Sequence, residues 1–190
     1  QDFLALKHFS RRVTKVFSSD RWAITGEAGM FLDPFYSPGS DYIGTSNTLV
    51  CDLIERELQG KTIVELSKIY NSIYMAFADN SFQLYQDQYQ LFGNPRAMPV
   101  KLIWDFSAYW TSMASVFVHK KFTDLSFYKP LMWVSRLNGE MQKFFRDWHA
   151  QGEDKAQRAM IDLPQIKHLA RLNKDLLKTF GDEEFAAKLE

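Results

Sequence analysis

The hydrophobic period of this chain changes once, near residue 40, and the change restricts what it can fold into. Before it, Arg12, Thr14 and Val16 alternate against Val13, Lys15 and Phe17, Ser18-Ser19-Asp20 offers a turn, and Trp22-Ala23-Ile24-Thr25 reads as a second short strand. After it, apolar residues recur at intervals of three and four, the mark of helices with a buried face. The expected fold is predominantly α, a short β-hairpin at the N-terminus followed by about five to six helices. An isolated hairpin is marginal in water and leaves edge groups unpaired, so the strands are read as the remnant of a larger sheet.

The first helix is expected from about Ser40 to Leu58, with Ile43, Leu49, Val50, Leu53, Ile54 and Leu58 as its stripe and Gly60 at its end. A capping box, Thr62 to Glu65, opens the second. Its stripe of Leu66, Ile69, Tyr70, Ile73, Phe77 and Leu84 leads towards Phe92, and Gly93-Asn94-Pro95 stops it. A third runs from Pro99 to about Lys121, and a weaker signal around Met132 to Trp148 uses Leu137, Met141, Phe144, Phe145 and Trp148. Gln151-Gly152-Glu153-Asp154 reads as a loop. A last long helix from near Pro164 to Gly181 carries Ile166, Leu169, Ala170, Asn173 and Leu177, and Asp182 caps a short terminal one.

Several classes of function are disfavoured. With 46% hydrophobic residues in 190, a disordered chain is excluded. The 23 basic and 23 acidic residues cancel without long runs of one sign, which argues against nucleic acid as a partner. No apolar stretch approaches the roughly 20 residues of a membrane span, and Gln1-Asp2-Phe3-Leu4 has neither the basic region nor the apolar run of a signal peptide. The absence of an initiating Met suggests an excised piece or a processed chain. The single cysteine, Cys51, rules out an internal disulfide framework and fits a reducing compartment, so a cytoplasmic location is expected. Cys51 itself reads as a packing residue on its helix. His8, His119, His149 and His168 share no metal-ligand spacing, so no metal site is expected. Ser37 lacks the context of a hydrolase nucleophile. Trp104, Trp110, Trp133 and Trp148 read first as core aromatics and second as walls of a pocket for a large apolar substrate.

Chemistry concentrates where strand gives way to helix, in the string Trp22-Ala23-Ile24-Thr25-Gly26-Glu27-Ala28-Gly29-Met30-Phe31-Leu32-Asp33-Pro34-Phe35-Tyr36-Ser37-Pro38-Gly39-Ser40-Asp41. An apolar strand enters a Gly-acid-Ala-Gly turn, and a second glycine turn launches a helix whose first turns hold Gly44, Thr45, Ser46 and Asn47. Small residues there let backbone approach a flat ligand, and the helix start favours negative charge by about 0.3 to 2 kcal/mol.

This string resembles the second flavin-binding motif of the flavin monooxygenase and flavin-dependent halogenase superfamily: Gly-Asp-Ala-Ala, then an Asp-Pro and a Ser-x-Gly before a helix. The match covers about residues 12 to 58. The resemblance implies that residues 1–60 are the C-terminal part of an FAD-binding domain and 61–190 a helical C-terminal domain. It also implies FAD as cofactor, with Gly26, Glu27, Ala28, Pro34, Gly39, Ser40 and Asp41 holding it. Glu27 would bond the ribityl hydroxyls, and the backbone N–H groups of Gly39, Ser40 and Asp41 would face the ring. The implied activity is oxygen activation on a flavin reduced by a nicotinamide cofactor or a separate reductase, with oxygen passed to an organic substrate. The catalytic residues are not identified.

The chain departs from that pattern in three places. Glu27 stands where the family has Asp, so the contact shifts by a methylene or runs through water. Pro38 replaces the Ser or Thr whose N–H helps to hold halide in halogenases, and proline has none to give. No Gly-x-Gly-x-x-Gly occurs, so the pyrophosphate cradle must come from a missing N-terminal dinucleotide-binding segment, and this chain alone is expected to bind FAD weakly or not at all. The rival expectation is a non-catalytic helical binding or scaffold module whose hairpin docks on a partner.

Overall fold

The computed structural model describes residues 9–150, and the chain divides into two compact units, Gln1–Phe82 and Gln83–Glu190. The loop at 151–154 and the helices expected beyond Pro164 lie outside the described residues. The described part is mostly helical with a two-stranded antiparallel hairpin near its N-terminus, the fold class that the periodicity predicts.

In the first unit, β1 (Arg11–Arg12) pairs antiparallel with β2 (Met30–Phe31), Arg11 opposite Phe31 and Arg12 opposite Met30. The ladder partner is therefore Met30–Phe31, whereas Trp22–Thr25 forms only an isolated bridge, Phe17 to Ala23. A two-residue strand is too short to show alternation, which is why β2 leaves no trace in the pattern. The Ser18–Asp20 turn is present: Ser18 N–H donates to Trp22 O at 3.1 Å and Ile24 N–H to Val16 O at 2.9 Å. Beside it the Lys15 ammonium lies 5.2 Å from the Trp22 ring centroid, and Trp22 stays 44% exposed.

Helix α1 (Gly39–Leu58) buries Tyr42, Thr45, Ser46, Leu49 and Leu53. Ile43, Ile54 and Leu58, expected on the same stripe, are exposed. The buried face is thus rotated towards the small polar residues. Helix α2 (Val64–Gln83) starts just inside the predicted capping box and buries Ser67, Tyr70, Tyr74, Ala78 and Ser81. The core of this unit is aromatic. Phe17 meets Tyr70 and Tyr74 edge-on with centroids 6.5 and 6.0 Å apart, and Tyr42 lies 6.0 Å from Tyr74. Val16 N–H donates to Asn71 Oδ1 at 2.7 Å, and Arg12 pairs with Asp79, so the hairpin is tied to α2. Tyr70 donates its hydroxyl to Asp52 Oδ2 at 2.6 Å, and Arg56 Nε donates to the same oxygen at 2.7 Å.

Beyond Gln83, α2 does not continue to Phe92 as its stripe suggests. Asp87 adopts a left-handed φ of 56°, and a 3-10 turn occupies Tyr89–Gly93. Helix α3 (Ala97–Thr111) is launched by Asn94, whose Oδ1 accepts from Arg96 N–H at 3.0 Å and Ala97 N–H at 2.9 Å. The expected single helix from Pro99 to Lys121 is broken at Ser112 (φ −116°, ψ −90°), and α4 (Met113–Val118) follows. Around the break, Thr111 Oγ1 donates to Ser107 O at 2.9 Å, Ser112 Oγ to Ala108 O at 2.5 Å and Ser115 Oγ to Ser112 O at 2.7 Å. Such back-bonding competes with the helical ladder and bends helices. Helix α5 (Tyr128–Ala150) is longer than its sequence signal. It buries Asn138, Gln142 and Phe145 while Phe144 is exposed.

Candidate functional site

The site is built from the turn at Gly26 upward. Gly26 has φ 58°, and a side chain there would come within 2.9 Å of Ile43 Cγ1, so both backbone and space demand glycine. Its N–H donates to Ser46 Oγ at 3.1 Å, and Ser46 Oγ donates to Tyr42 O at 2.7 Å. Gly29 N–H closes the turn on Gly26 O at 3.0 Å, and Val13 N–H donates to Gly29 O at 3.0 Å. The Gly-Glu-Ala-Gly turn is therefore stitched to the hairpin on one side and α1 on the other.

The following loop is held by Asp33, whose Oδ1 accepts from Phe35 N–H at 2.8 Å, and by Ser37 N–H donating to Pro34 O at 2.9 Å. Tyr36 and Ser37 both sit in the left-handed region, φ 67° and 52°. Each such non-glycine residue costs about 1–2 kcal/mol, which the loop contacts must offset. Pro38 then takes the N-cap position of α1, with no side chain capping the helix, and Tyr42 N–H donates to Pro38 O at 3.1 Å.

A cavity of about 270 Å³ opens in front of this helix start. Four of the seven residues assigned to flavin by the motif line it: Glu27, Pro34, Gly39 and Ser40. Gly26 is buried in the turn, and neither it nor Ala28 or Asp41 is part of the lining. The Glu27 carboxylate reaches Gly39 closely: Oε1 lies 2.9 Å from the point a Cβ at residue 39 would take. The small residues of α1 have a different use from the one expected. Thr45 and Ser46 are 2% and 0% exposed, and Ser46 bonds the turn, so they serve packing within the unit.

Tyr42 lines the cavity and is otherwise engulfed. Burial pushes its pKa well above that of an ordinary phenol; the Ser81 hydroxyl beside it pulls slightly the other way without closing a hydrogen bond of normal geometry. Burial likewise raises Tyr74 to about 12.

The second unit holds a polar cluster with no motif to announce it. Lys101 Nζ donates to Asp105 Oδ2 at 2.6 Å and Gln142 Oε1 at 2.7 Å, and Gln142 Nε2 returns a bond to Asp105 Oδ1 at 2.6 Å. Asn138 Oδ1 accepts from Gln142 Nε2 at 3.1 Å and from Trp104 Nε1 at 3.0 Å, and Gln88 Nε2 donates to Gln142 O at 3.1 Å. Lys101 is 1% exposed, and its desolvation lowers the ammonium pKa against the pull of Asp105. The one sequence signal was the i,i+4 spacing of Lys101 and Asp105, which is ordinarily a solvated surface pair.

Elsewhere, Cys51 is exposed and is not the packing residue expected. Of the tryptophans, Trp104 is half-buried and bonded to Asn138, whereas Trp133 is 65% exposed. Among the described residues, no group of three or more His, Cys, Asp or Glu side chains converges as a metal site, and no helix is long and apolar enough to cross a membrane. No family model, curated protein or solved structure matches this chain.

Proposed function

We propose that this chain is the C-terminal part of an FAD-dependent oxidoreductase of the monooxygenase or halogenase-like kind, which helps to hold the flavin and shapes the substrate pocket. The observation that carries the reading is the gathering of Glu27, Pro34, Gly39 and Ser40 around one cavity at the start of a 20-residue helix. The lining is compatible with part of such a ligand: a carboxylate acceptor for hydroxyls at Glu27, and apolar surface at Met30, Leu32 and Ile43. At about 270 Å³ the cavity is below the 300–1,000 Å³ typical of a drug-sized site, so it suits one end of a dinucleotide and not the whole.

When bound, FAD supplies the reducible ring through which electrons from NAD(P)H or a reductase reach oxygen. Glu27 would accept from the ribityl hydroxyls, and the first turn of α1 would favour negative charge on the ring by its dipole. Pro38, lacking an N–H, favours a hydroxylase over a halogenase within this reading. The proposed setting is the cytoplasm, with a large apolar organic substrate and a separate dinucleotide-binding segment as partners.

Glu27→Ala in the longest natural form of the protein tests the reading. The expected result is loss of bound flavin, seen in the visible absorption spectrum, with the far-UV circular dichroism retained. Undiminished flavin would remove Glu27 from the site. The scaffold alternative draws on one observation, that Gly26, Thr45 and Ser46 are fully employed in packing. A natural protein that stays colourless with added FAD would favour it.

A further inference from the structure

Trp133, expected in the core, and its neighbour Met132 are 65% and 73% exposed, the most open apolar side chains among the described residues of the second unit. Lone apolar residues on a surface need no explanation, but this pair is bracketed by cations. Lys129, Met132, Trp133 and Arg136 stand at i, i+3, i+4 and i+7 of α5, so they share one face of its first turns, and all four are exposed. The connection from α4 is folded tightly beside that face. Phe117 meets Phe122 edge-on at 4.6 Å, the Tyr128 hydroxyl donates to Phe122 O at 2.9 Å, and a 3-10 turn at Leu125–Phe127 adjoins α5. It leaves Val118 and Leu125 exposed as further apolar points. From Val118 to Arg136 there are four basic residues against one acid, in a chain with no net charge. That acid, Asp124, is engaged within the connection, accepting from Lys121 Nζ at 3.0 Å and from Ser126 N–H at 3.1 Å. Lys120 and Lys129 enter no ion pair among the described residues, and Arg136 meets Glu140 in an open surface pair at 3.3 Å.

We propose that this corner of the second unit docks on an anionic lipid bilayer, with Met132 and Trp133 entering the headgroup boundary and Lys120, Lys129 and Arg136 meeting the lipid phosphates. The residue chemistry favours a bilayer over a protein partner. An indole is apolar in body and polar at its N–H, which suits the layer between headgroup and acyl chain. Lysine and arginine stems lie along apolar surface and keep their charge at the headgroups. Lysine is depleted at protein–protein interfaces, whereas a basic flank beside Trp is the mark of a helix seated on a membrane surface. Each basic residue close to an anionic surface contributes about fivefold in partitioning. Docking of this kind does not depend on a bound flavin.

Vesicle flotation with the 190-residue chain tests the docking. The expected result is capture by phosphatidylcholine vesicles containing about one third phosphatidylglycerol, weakening as salt rises, and about tenfold less capture by phosphatidylcholine alone. Met132→Ser combined with Trp133→Ser, both changes at exposed positions, should cut capture about tenfold or more with the far-UV circular dichroism retained. Lys129→Gln should cut it about fivefold. Absence of capture by the anionic vesicles, equal capture by phosphatidylcholine alone, or capture unaltered by these substitutions would overturn the proposal. A concentration-dependent dimer in light scattering that Trp133→Ser abolishes, without vesicle capture, would also overturn it and give the face to a second copy of the chain.

Discussion

In the second unit, Lys101, Asp105, Asn138 and Gln142 are each 5% exposed or less and satisfy one another through four hydrogen bonds, with Trp104 as a further donor. In the first, Tyr42, Tyr74 and Thr45 are equally buried, and their hydroxyls find no hydrogen-bond partner among the described residues. The two regions teach that burial of polar atoms does not have one energetic sign. Where partners are locked together, removing one strands the other without water, at the full desolvation cost. Where the group is already stranded, removing it relieves a cost. Even the second unit keeps two orphans among its described residues, Gln88 Oε1 at the edge of its network and His149 Nδ1.

The largest test of this contrast is Lys101→Met. It should destabilise by about 3–5 kcal/mol in urea or guanidinium titration, because Asp105 is left as an uncompensated buried charge. Lys101→Met combined with Asp105→Leu should recover most of that loss. A single substitution costing under about 1 kcal/mol would mean that the pair is not desolvated in solution. Next comes Gly26→Ala, with an expected cost of about 1–3 kcal/mol from the left-handed φ and the approach to Ile43. Smallest is Tyr42→Phe, expected within about 1 kcal/mol of the unaltered protein and on the stabilising side.

A pH series sharpens the same comparison. An unfolded tyrosine ionises near 10.0, whereas burial holds the Tyr74 proton to about 12 and raises Tyr42 further. Above 10 the unfolded chain therefore binds fewer protons than the folded one, so stability is fully present below that pH and falls as pH rises through about 12. The double variant Tyr42→Phe, Tyr74→Phe should flatten this alkaline loss in stability measured across that range. An unchanged slope would mean that the two phenols are solvated.

The contrast also shows what the chain's pattern could and could not reveal. The Gly26–Gly29 turn, the Ser18–Asp20 turn and the helix start at Gly39 were legible because glycine, proline and aspartate mark backbone geometry locally. Helix faces were less so. On α1 the expected stripe ran through Ile43, Leu49, Val50, Leu53, Ile54 and Leu58, and on α5 through Leu137, Met141, Phe144, Phe145 and Trp148. Leu49, Leu53 and Phe145 are buried as expected, whereas Ile43, Ile54, Leu58 and Phe144 are exposed, and the buried faces are completed by Tyr42, Thr45 and Ser46 and by Asn138 and Gln142. In both helices small or amide side chains occupy core positions, where a hydrophobic period is blind. The Lys101 network joins residues about 40 apart, from α3 to α5, and no local spacing encodes that. At the candidate site the string brought Glu27, Pro34, Gly39 and Ser40 to one cavity, but sequence alone did not show that Ser46 is spent on holding Gly26.

Four of the five tryptophans, Trp104, Trp110, Trp133 and Trp148, belong to the second unit, and the first has Trp22 alone, at its surface beneath Lys15. The molecule thus carries its own optical label. Tryptophan emission reports chiefly on the second unit, and with Trp22→Phe it reports on that unit entirely, whereas far-UV circular dichroism draws on helices of both. Coincident melting curves from the two signals would mark a single cooperative transition, and separated curves would give each unit its own melting temperature without any added dye.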